Sequence, residues 1–360
     1  MIGDAASPGG ARVGYYVHHA GGGHAARAGA IGRALARRGA AVTFLGSRLA
    51  DPALHADGHA VVALADDGAP GGLPADADPT AGGLLHWAPL HHRGYRDRAA
   101  ALAAWVATAA PDVVVVDVSV EVTLLVRLLG VPVVVVTQPG DRLDAPHRAG
   151  RAAASAILAP WPIGLTEAGA APHLIGDAPP VQHTGGISAL PARPRRREVP
   201  GGAPRPRRGV VLAGRDGFDD PGLVDDLRGA TPRVDWRELD GSLGRPELAQ
   251  ALAEAEVAVT HAGLGALADV AVAGVPAVVV PQPRPHGEQA ATGRALDALA
   301  WAPVAPTGRD RSTDWAALVD RALTTDPLGA RWCADGAADR AAAAILDVVA
   351  RPGPPAGGTR

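Results

Sequence analysis

The chain has 360 residues, 47% of them hydrophobic, 20% charged and only 3% aromatic, with a formal net charge of -3. At about 150 residues per domain this length makes two domains, each able to bury a core of mainly Ala, Val and Leu. A single cysteine, Cys333, excludes a disulfide framework and a cysteine-ligated zinc site, and the near-neutral charge argues against nucleic acid as a partner.

The start, MIGDAASPGGARVGYYVHH, has no basic segment leading into an apolar stretch, so no signal peptide is expected. Val13 to Val17 predicts a short buried strand, followed by HHAGGGH and a helix over about Ala25 to Arg38, then a strand from Ala41 to Leu45. Asp66 to Leu85, rich in Asp, Pro, Gly and Ala, predicts a long loop. A helix from about Tyr95 to Ala109 leads into Asp112 to Val116, a β-branched run of the kind found in central parallel strands. Glu121 to Leu129 follows as a helix and Val131 to Val136 as a buried strand. Charges at Asp117, Glu121 and Arg127 interrupt this apolar region, so no integral membrane segment is expected.

Around Leu190 to Gly209 the sequence turns to ALPARPRRREVPGGAPRPRRG, whose Pro, Gly and mutually repelling arginines predict a linker. A second strand–turn–helix series begins at Val210 to Ala213, ends its first turn in Gly214-Arg215-Asp216-Gly217, and continues with a helix at Pro246 to Glu254. Strands at Val257 to Thr260 and Ala277 to Val280 flank a helix at Leu264 to Ala273. Helices at Glu288 to Leu299, Asp314 to Leu323 and Ala337 to Ala350 complete the series, with a short strand near Ala302 to Val304. The domains expected are therefore 12–190, a linker at 191–208, a second domain at 209–350 and a disordered tail at 351–360. Such alternation gives α/β units with parallel sheets, and two Rossmann-like halves place a site in the cleft at their strand carboxyl ends.

The chemistry concentrates in AVTHAGLGALADVAVAGVPAVVVPQPRPHGEQAATGRAL, Ala258 to Leu296. A strand ending at His261 runs into the turn Ala262-Gly263-Leu264-Gly265 and a helix whose free N–H groups can bind phosphate, helped by the positive end of its dipole. Asp269, a turn further on, can accept from ribose hydroxyls. The loop after the next strand brings Arg284, His286, Glu288 and Gln289 to the same edge, where a carboxylate beside an amide can grip vicinal sugar hydroxyls. This stretch resembles the donor-site signature of GT-B nucleotide-sugar glycosyltransferases, close to the UDP-glycosyltransferases and the N-acetylglucosaminyltransferase of peptidoglycan synthesis. The resemblance rests on His261, Gly263, Asp269, Gly274-Val275-Pro276, Pro281, Glu288 and Gln289. It implies that His261 and the turn backbone meet a diphosphate, Asp269 the ribose, and Glu288 with Gln289 the transferred sugar. The chain departs from the family at the turn and after the acid–Gln pair, where relatives carry Asn, and in having Asp269 where Glu is usual.

The N-terminal VGYYVHHAGGGHAARAG resembles the first strand, Gly-rich loop and helix of the same enzymes, where a loop histidine faces the acceptor. His24 matches that position and Asp117, ending DVVVVD, matches a partner acid. A histidine titrating near neutrality suits the deprotonation of an acceptor hydroxyl, although His18 and His19 stand close enough to leave the assignment open. Gly22, Gly23, His19 and Gln138, the last in VPVVVVTQPGDR, are expected on the acceptor side. Gly21, Gly23 and Ala26 also fit a dinucleotide fingerprint, but the acid expected after the second strand is missing. His18-His19 and His91-His92 lack metal-ligand helix spacing, so neither a metal nor a cofactor is expected. HWAPLHHRGYRDR, His86 to Arg98, can line an acceptor site.

The resemblance implies an inverting, metal-independent transfer of sugar from a nucleoside-diphosphate, UDP-type donor to the hydroxyl of a small-molecule, lipid or glycan acceptor. A cytoplasmic place is expected, with peripheral contact at the inner membrane face left open. A nucleotide-sugar epimerase on the same fold and a non-catalytic nucleotide-sugar-binding protein are the rival readings.

Overall fold

The computed structural model describes residues 10–19, 22–69, 71–176, 179–190, 206–214, 217–241, 243–307, 310 and 312–351. The linker expected at 191–208 falls almost wholly outside them, as do Gly21, Arg215 and residues 352–360.

Seven parallel strands form the first sheet: β1 Arg12–Tyr16, β2 Ala41–Gly46, β3 Ala60–Ala63, β4 Val113–Asp117, β5 Val133–Val136, β6 Ala156–Ala159 and β7 Val181–His183. Their order is β3-β2-β1-β4-β5-β6-β7. The central β4 and β5 are near-continuous valine because helices cover both faces and alternation has no purpose there. A second parallel sheet, in the order β11-β10-β8-β9, comprises β8 Arg207–Gly214, β9 Val234–Asp240, β10 Val257–His261 and β11 Ala277–Val280. The strand expected near Ala302 to Val304 is reduced to one bridge, Val279 to Val304. Thus the α/β architecture of two parallel-sheet domains is the one observed.

Strand order reverses between β1 and β4 in the first sheet and between β8 and β10 in the second. A crevice opens beyond the carboxyl ends of parallel strands at such switch points. The strand ends therefore deliver His18, Gly214 and His261 to positions facing one cleft, while Asp117 is buried at the end of β4. Residues 65–92 between β3 and the helix Arg93–Ala109 contain turns but no strand or helix among the described residues, as the composition of that stretch requires.

The last helix, Ala337–Ala350, lies within the stretch expected to belong to the second domain, yet it packs on the first. Ala337, Ala341, Ala342, Ile345 and Val348 join one buried cluster with Val13, Ile31, Leu35 and Val115. Asp339 at its start pairs with Arg37 at 3.0 Å and Arg38 at 2.5 Å, but these exposed pairs contribute little beside the apolar contact. Ile345 is wholly buried. An Ile345→Ala variant is expected to lose about 2–5 kcal/mol in urea unfolding of the first domain; an unchanged midpoint would show that the helix is not part of that core.

Candidate active site

The cleft between the domains is a cavity of about 1810 Å³ lined by both Gly-rich turns, by His24, His261, Asp269, Glu288 and Gln289, and by a wall including Trp87, Tyr95, Leu102 and Leu125. Two helices open into it, Gly23–Ala36 from the first domain and Leu264–Ala273 from the second. Neither N-cap, Gly22 or Gly263, offers a side-chain acceptor to the first-turn N–H groups. The helix starts face one another so closely that a Cβ on Gly265 would stand 3.8 Å from the Cα of Gly23. Two sets of uncapped donors, each at a positive dipole end, converge on one space.

On the first-domain side, His24 Nδ1 lies 3.0 Å from Asp117 Oδ2. Asp117 is fully buried at the end of β4, with Arg27 Nη2 donating to its two oxygens at 2.7 and 2.9 Å. Burial opposes the charge of Asp117, but Arg27 and His24 hold its carboxyl well below the usual carboxylate range. The same Arg27 Nη2 is 3.0 Å from His24 Nδ1. The tautomer that donates Nδ1–H to Asp117 is the one that presents a basic Nε2. His18 and His19 stack on each other with ring centroids 4.9 Å apart. Burial pushes the His18 imidazole down to about 3, and His19 faces Asp67 at 3.7 Å. Of the three histidines, His24 has the geometry of an acid-backed base.

In the second domain, His261 Nδ1 accepts from the Gly263 N–H at 2.9 Å and thereby shapes the turn. Its Nε2 faces Gly214, where a Cβ would come within 3.1 Å. Gln289 is buried, and its Oε1 accepts from Ala262 N–H at 3.2 Å and Gln282 N–H at 3.0 Å. It braces the ends of β10 and β11 and so fixes the Ala262-Gly263 turn. Arg284 donates to both Asp219 oxygens at 3.1 and 3.2 Å, at the cavity wall.

Three contacts tie cleft residues of the second domain to the first. Ser188 Oγ donates to Asp269 Oδ1 at 2.6 Å. Arg142 Nη2 reaches Glu288 Oε2 at 3.4 Å and Gln138 Oε1 at 3.1 Å. Asp141 N–H donates to the His286 carbonyl at 2.8 Å, beside Gly140, whose φ of 102° and missing Cβ permit the approach. Burial raises the Glu288 carboxyl against the pull of Arg142, and burial pushes Asp269 up to about 6 despite Ser188.

Arg27, Arg142 and Ser188 escape the sequence patterns. Arg27 alone leaves a trace, as a charge three residues after His24 in a helix of mostly small residues whose other charge is Arg33. From the expected acceptor-side stretch, His86, Trp87, Tyr95 and Arg98 line the cavity. Arg98 is buried, pairing with Asp67 at 2.9 Å and donating to the Tyr16 hydroxyl. Trp236 sits in the core, its Nε1 donating to Thr231 Oγ1 at 2.8 Å.

Comparison with known proteins bears on the fold. Residues 245–297 match the glycosyltransferase family 28 C-terminal domain. The chain is 34% identical over 158 residues to the UDP-N-acetylglucosamine--N-acetylmuramyl-(pentapeptide) pyrophosphoryl-undecaprenol N-acetylglucosamine transferase of Clavibacter michiganensis subsp. michiganensis. The match covers 41% of this chain and 38% of that protein. The same transferase of Clavibacter sepedonicus is 32% identical over 155 residues, with the same coverage. The chain thus matches about 38% of the length of these curated relatives. Solved structures align along nearly the whole chain. The glycotransferase of kitacinnamycin does so with a TM-score of 0.63 at 18% identity, covering 95% of this chain and 100% of that one. Acinetobacter baumannii MurG gives 0.60 at 16%, covering 94% and 99%. CalG4, the calicheamicin glycosyltransferase, gives 0.63 at 17%, covering 96% and 100%. The fold is GT-B, and residues 245–297 of the second domain match the family 28 C-terminal domain.

Asp269 yields a pH test. Its folded carboxyl ionises near 6 and an unfolded one near 4, so the stability it confers is complete below about pH 4 and is lost as pH rises through 6. Asp269→Asn removes this loss. The variant is expected to be more stable than the parent at pH 7.5 by on the order of 1–3 kcal/mol. Denaturant midpoints should show that gain fading between about pH 6 and pH 4; a gain independent of pH would place its origin elsewhere.

Proposed function

We propose that this protein transfers a sugar from a nucleoside-diphosphate sugar, UDP-linked, to an acceptor hydroxyl with inversion at the anomeric carbon. The observation that carries the proposal is the convergence of two uncapped helix N-termini on a space flanked by the His24–Asp117 pair. A diphosphate is the ligand that such a space fits, since its charge falls where both dipoles and their free N–H groups point. The name of the Clavibacter relatives supports a UDP-sugar in particular.

In the proposed reaction, His24 Nε2 takes the proton from the acceptor hydroxyl as its oxygen attacks the anomeric carbon. The bond from that carbon to the diphosphate oxygen breaks, and its electron pair leaves with the nucleoside diphosphate. Asp117 accepts the Nδ1–H and stabilises the imidazolium, while Arg27 neutralises Asp117 in the resting state. Charge growing on the leaving group meets the start of Leu264–Ala273 and His261, so the transfer needs no metal. Asp269 would hold the ribose and Glu288 the sugar, on a platform braced by Gln289. The apolar wall with Trp87, Tyr95, Leu102 and Leu125 favours an acceptor with an apolar body, as a lipid or an aglycone has. No helix among the described residues is long and apolar enough to cross a membrane. A lipid-linked acceptor would accordingly be met by peripheral contact, at the inner face.

His24→Ala is expected to lower kcat by about 10²–10⁴-fold while the melting shift produced by UDP is retained. Unchanged turnover would remove His24 as the base. Incubation with donor and no acceptor should leave the sugar configuration intact; epimerised product would replace transfer by epimerisation. A melting screen across UDP, TDP, GDP and NAD is expected to favour a nucleoside diphosphate, and stabilisation by NAD alone would defeat the proposal.

A further inference from the structure

Three imidazoles meet where the domains touch. His86 comes from the loop before Arg93–Ala109, His147 from the helix Ala145–Ala153, and His286 from the loop after β11 in the second domain. One ring nitrogen of each lies within 4.8 Å of the others. Ring centroids are 4.3 Å apart for His86 and His147, 4.7 Å for His147 and His286, and 5.5 Å for His86 and His286. We propose that His86, His147 and His286 form a transition-metal site, suited to Zn²⁺ or Co²⁺, that bridges the two domains at the mouth of the cleft.

The donor set fits such an ion, for three neutral imidazoles with an open fourth position make a familiar tetrahedral zinc environment. A ligating histidine normally donates its other ring N–H to a carboxylate, which fixes its tautomer. Asp144 supplies this at His147, where its Oδ2 lies 2.7 Å from Nδ1. His147 would then ligate through Nε2. That nitrogen faces Arg142 Nη1 at 2.9 Å, so Arg142 and the metal compete for one lone pair. Arg142 has Gln138 and Glu288 as other acceptors, and its guanidinium can turn to them.

The loop is already held for the purpose. His286 has φ 58° and ψ 14°, a left-handed conformation unusual outside glycine, between Pro285 and Gly287. The Asp141 N–H donates to its carbonyl from across the domain seam. Tetrahedral coordination at Zn–N distances of about 2.1 Å sets ligand nitrogens roughly 3.4 Å apart, a contraction that the partly exposed His86 and the exposed His286 can supply by side-chain rotation. Because His86 and His147 belong to one domain and His286 to the other, the ion would pin the cleft without taking part in sugar transfer.

The test titrates the full chain, stripped of metal with a chelator, with Co²⁺ alone. One equivalent is expected to bind saturably with an intense visible absorption band of tetrahedral type. His86→Gln and His286→Gln should each weaken binding at least tenfold. His91→Gln, an exposed histidine outside the cavity, should leave it unchanged. Melting curves of the metal-free variants confirm that they fold, and both main substitutions lie at partly or fully exposed positions. The absence of saturable binding would overturn the proposal, and so would binding equally tight in the double variant His86→Gln/His286→Gln. The readout is metal binding, so its failure leaves the transfer reading untouched, and a failure of that reading leaves this site standing.

Discussion

Parallel strands force everything chemical to one edge. Each strand hands its last residue and the N-terminus of its following helix to the same side of the sheet, and here both sheets turn that side to one cleft. The helices Gly23–Ala36 and Leu264–Ala273 therefore point two positive dipole ends and two sets of unshared N–H groups at each other, separated by little more than the width of two glycines. Like-signed ends repel, and uncapped donors call for an acceptor. An anionic ligand lying alongside both ends would satisfy both requirements together, which a side-chain cap on either helix would forestall. Under the proposed function, Gly22 and Gly263 at the caps leave these donors open to a ligand.

With no lysine and no asparagine in the chain, arginine carries the fixed positive charge throughout. Arg27, Arg98 and Arg142 are all buried, each against an acid of the cleft: Asp117, Asp67 and Glu288. Burying an ion pair is expensive unless its hydrogen-bonding capacity is filled, and a planar guanidinium with five donors can fill it where an ammonium cannot. Arg98 illustrates this by reaching Ser47 Oγ and the Ala65 carbonyl, each at 3.0 Å, besides Asp67 and Tyr16. The buried arginines hold acids in place, while the cavity is faced by the backbone N–H groups of the two helix starts and by the less buried Arg33, Arg37, Arg245 and Arg284.

Much of this was legible in the sequence where one physical cause dominates. The valine runs of β4, β5 and β11 announce strands buried on both faces, and the spacing from His261 to Gln289 announces a strand end, a helix start and a return loop at one edge. The missed strands have mixed causes. β6 is Ala-Ile-Leu-Ala, β7 is three residues long, β3 is half exposed, and the charges of Val-Asp-Trp-Arg-Glu-Leu-Asp mask the edge strand β9. Apart from His24 with Asp117, which the family resemblance implied, the tertiary pairings were not legible. Arg27 with Asp117, Ser188 with Asp269 and the three histidines unite residues separated by dozens to hundreds of positions, and no local pattern encodes their meeting. The final helix was assigned by its place in the chain, whereas its apolar face finds its complement on the first domain.

The side chains proposed to contact the donor also hold the two domains together. Asp269 is held by Ser188, Glu288 by Arg142 and the His286 carbonyl by Asp141 N–H, so residues proposed to hold ribose and sugar are the ones that latch the domains. A ribose hydroxyl arriving at Asp269 would have to replace Ser188 or share the carboxylate with it, and a sugar at Glu288 would meet Arg142 in the same way. These exchanges conserve the number of hydrogen bonds, so opening and closing need cost little while the correct donor is bound. A ligand with the diphosphate but no sugar would satisfy the helix ends and leave the Arg142–Glu288 contact in place. In the proposed reaction, recognition of the sugar would thereby be coupled to the seam between the domains, which is where water must be excluded before an anomeric carbon is exposed to attack.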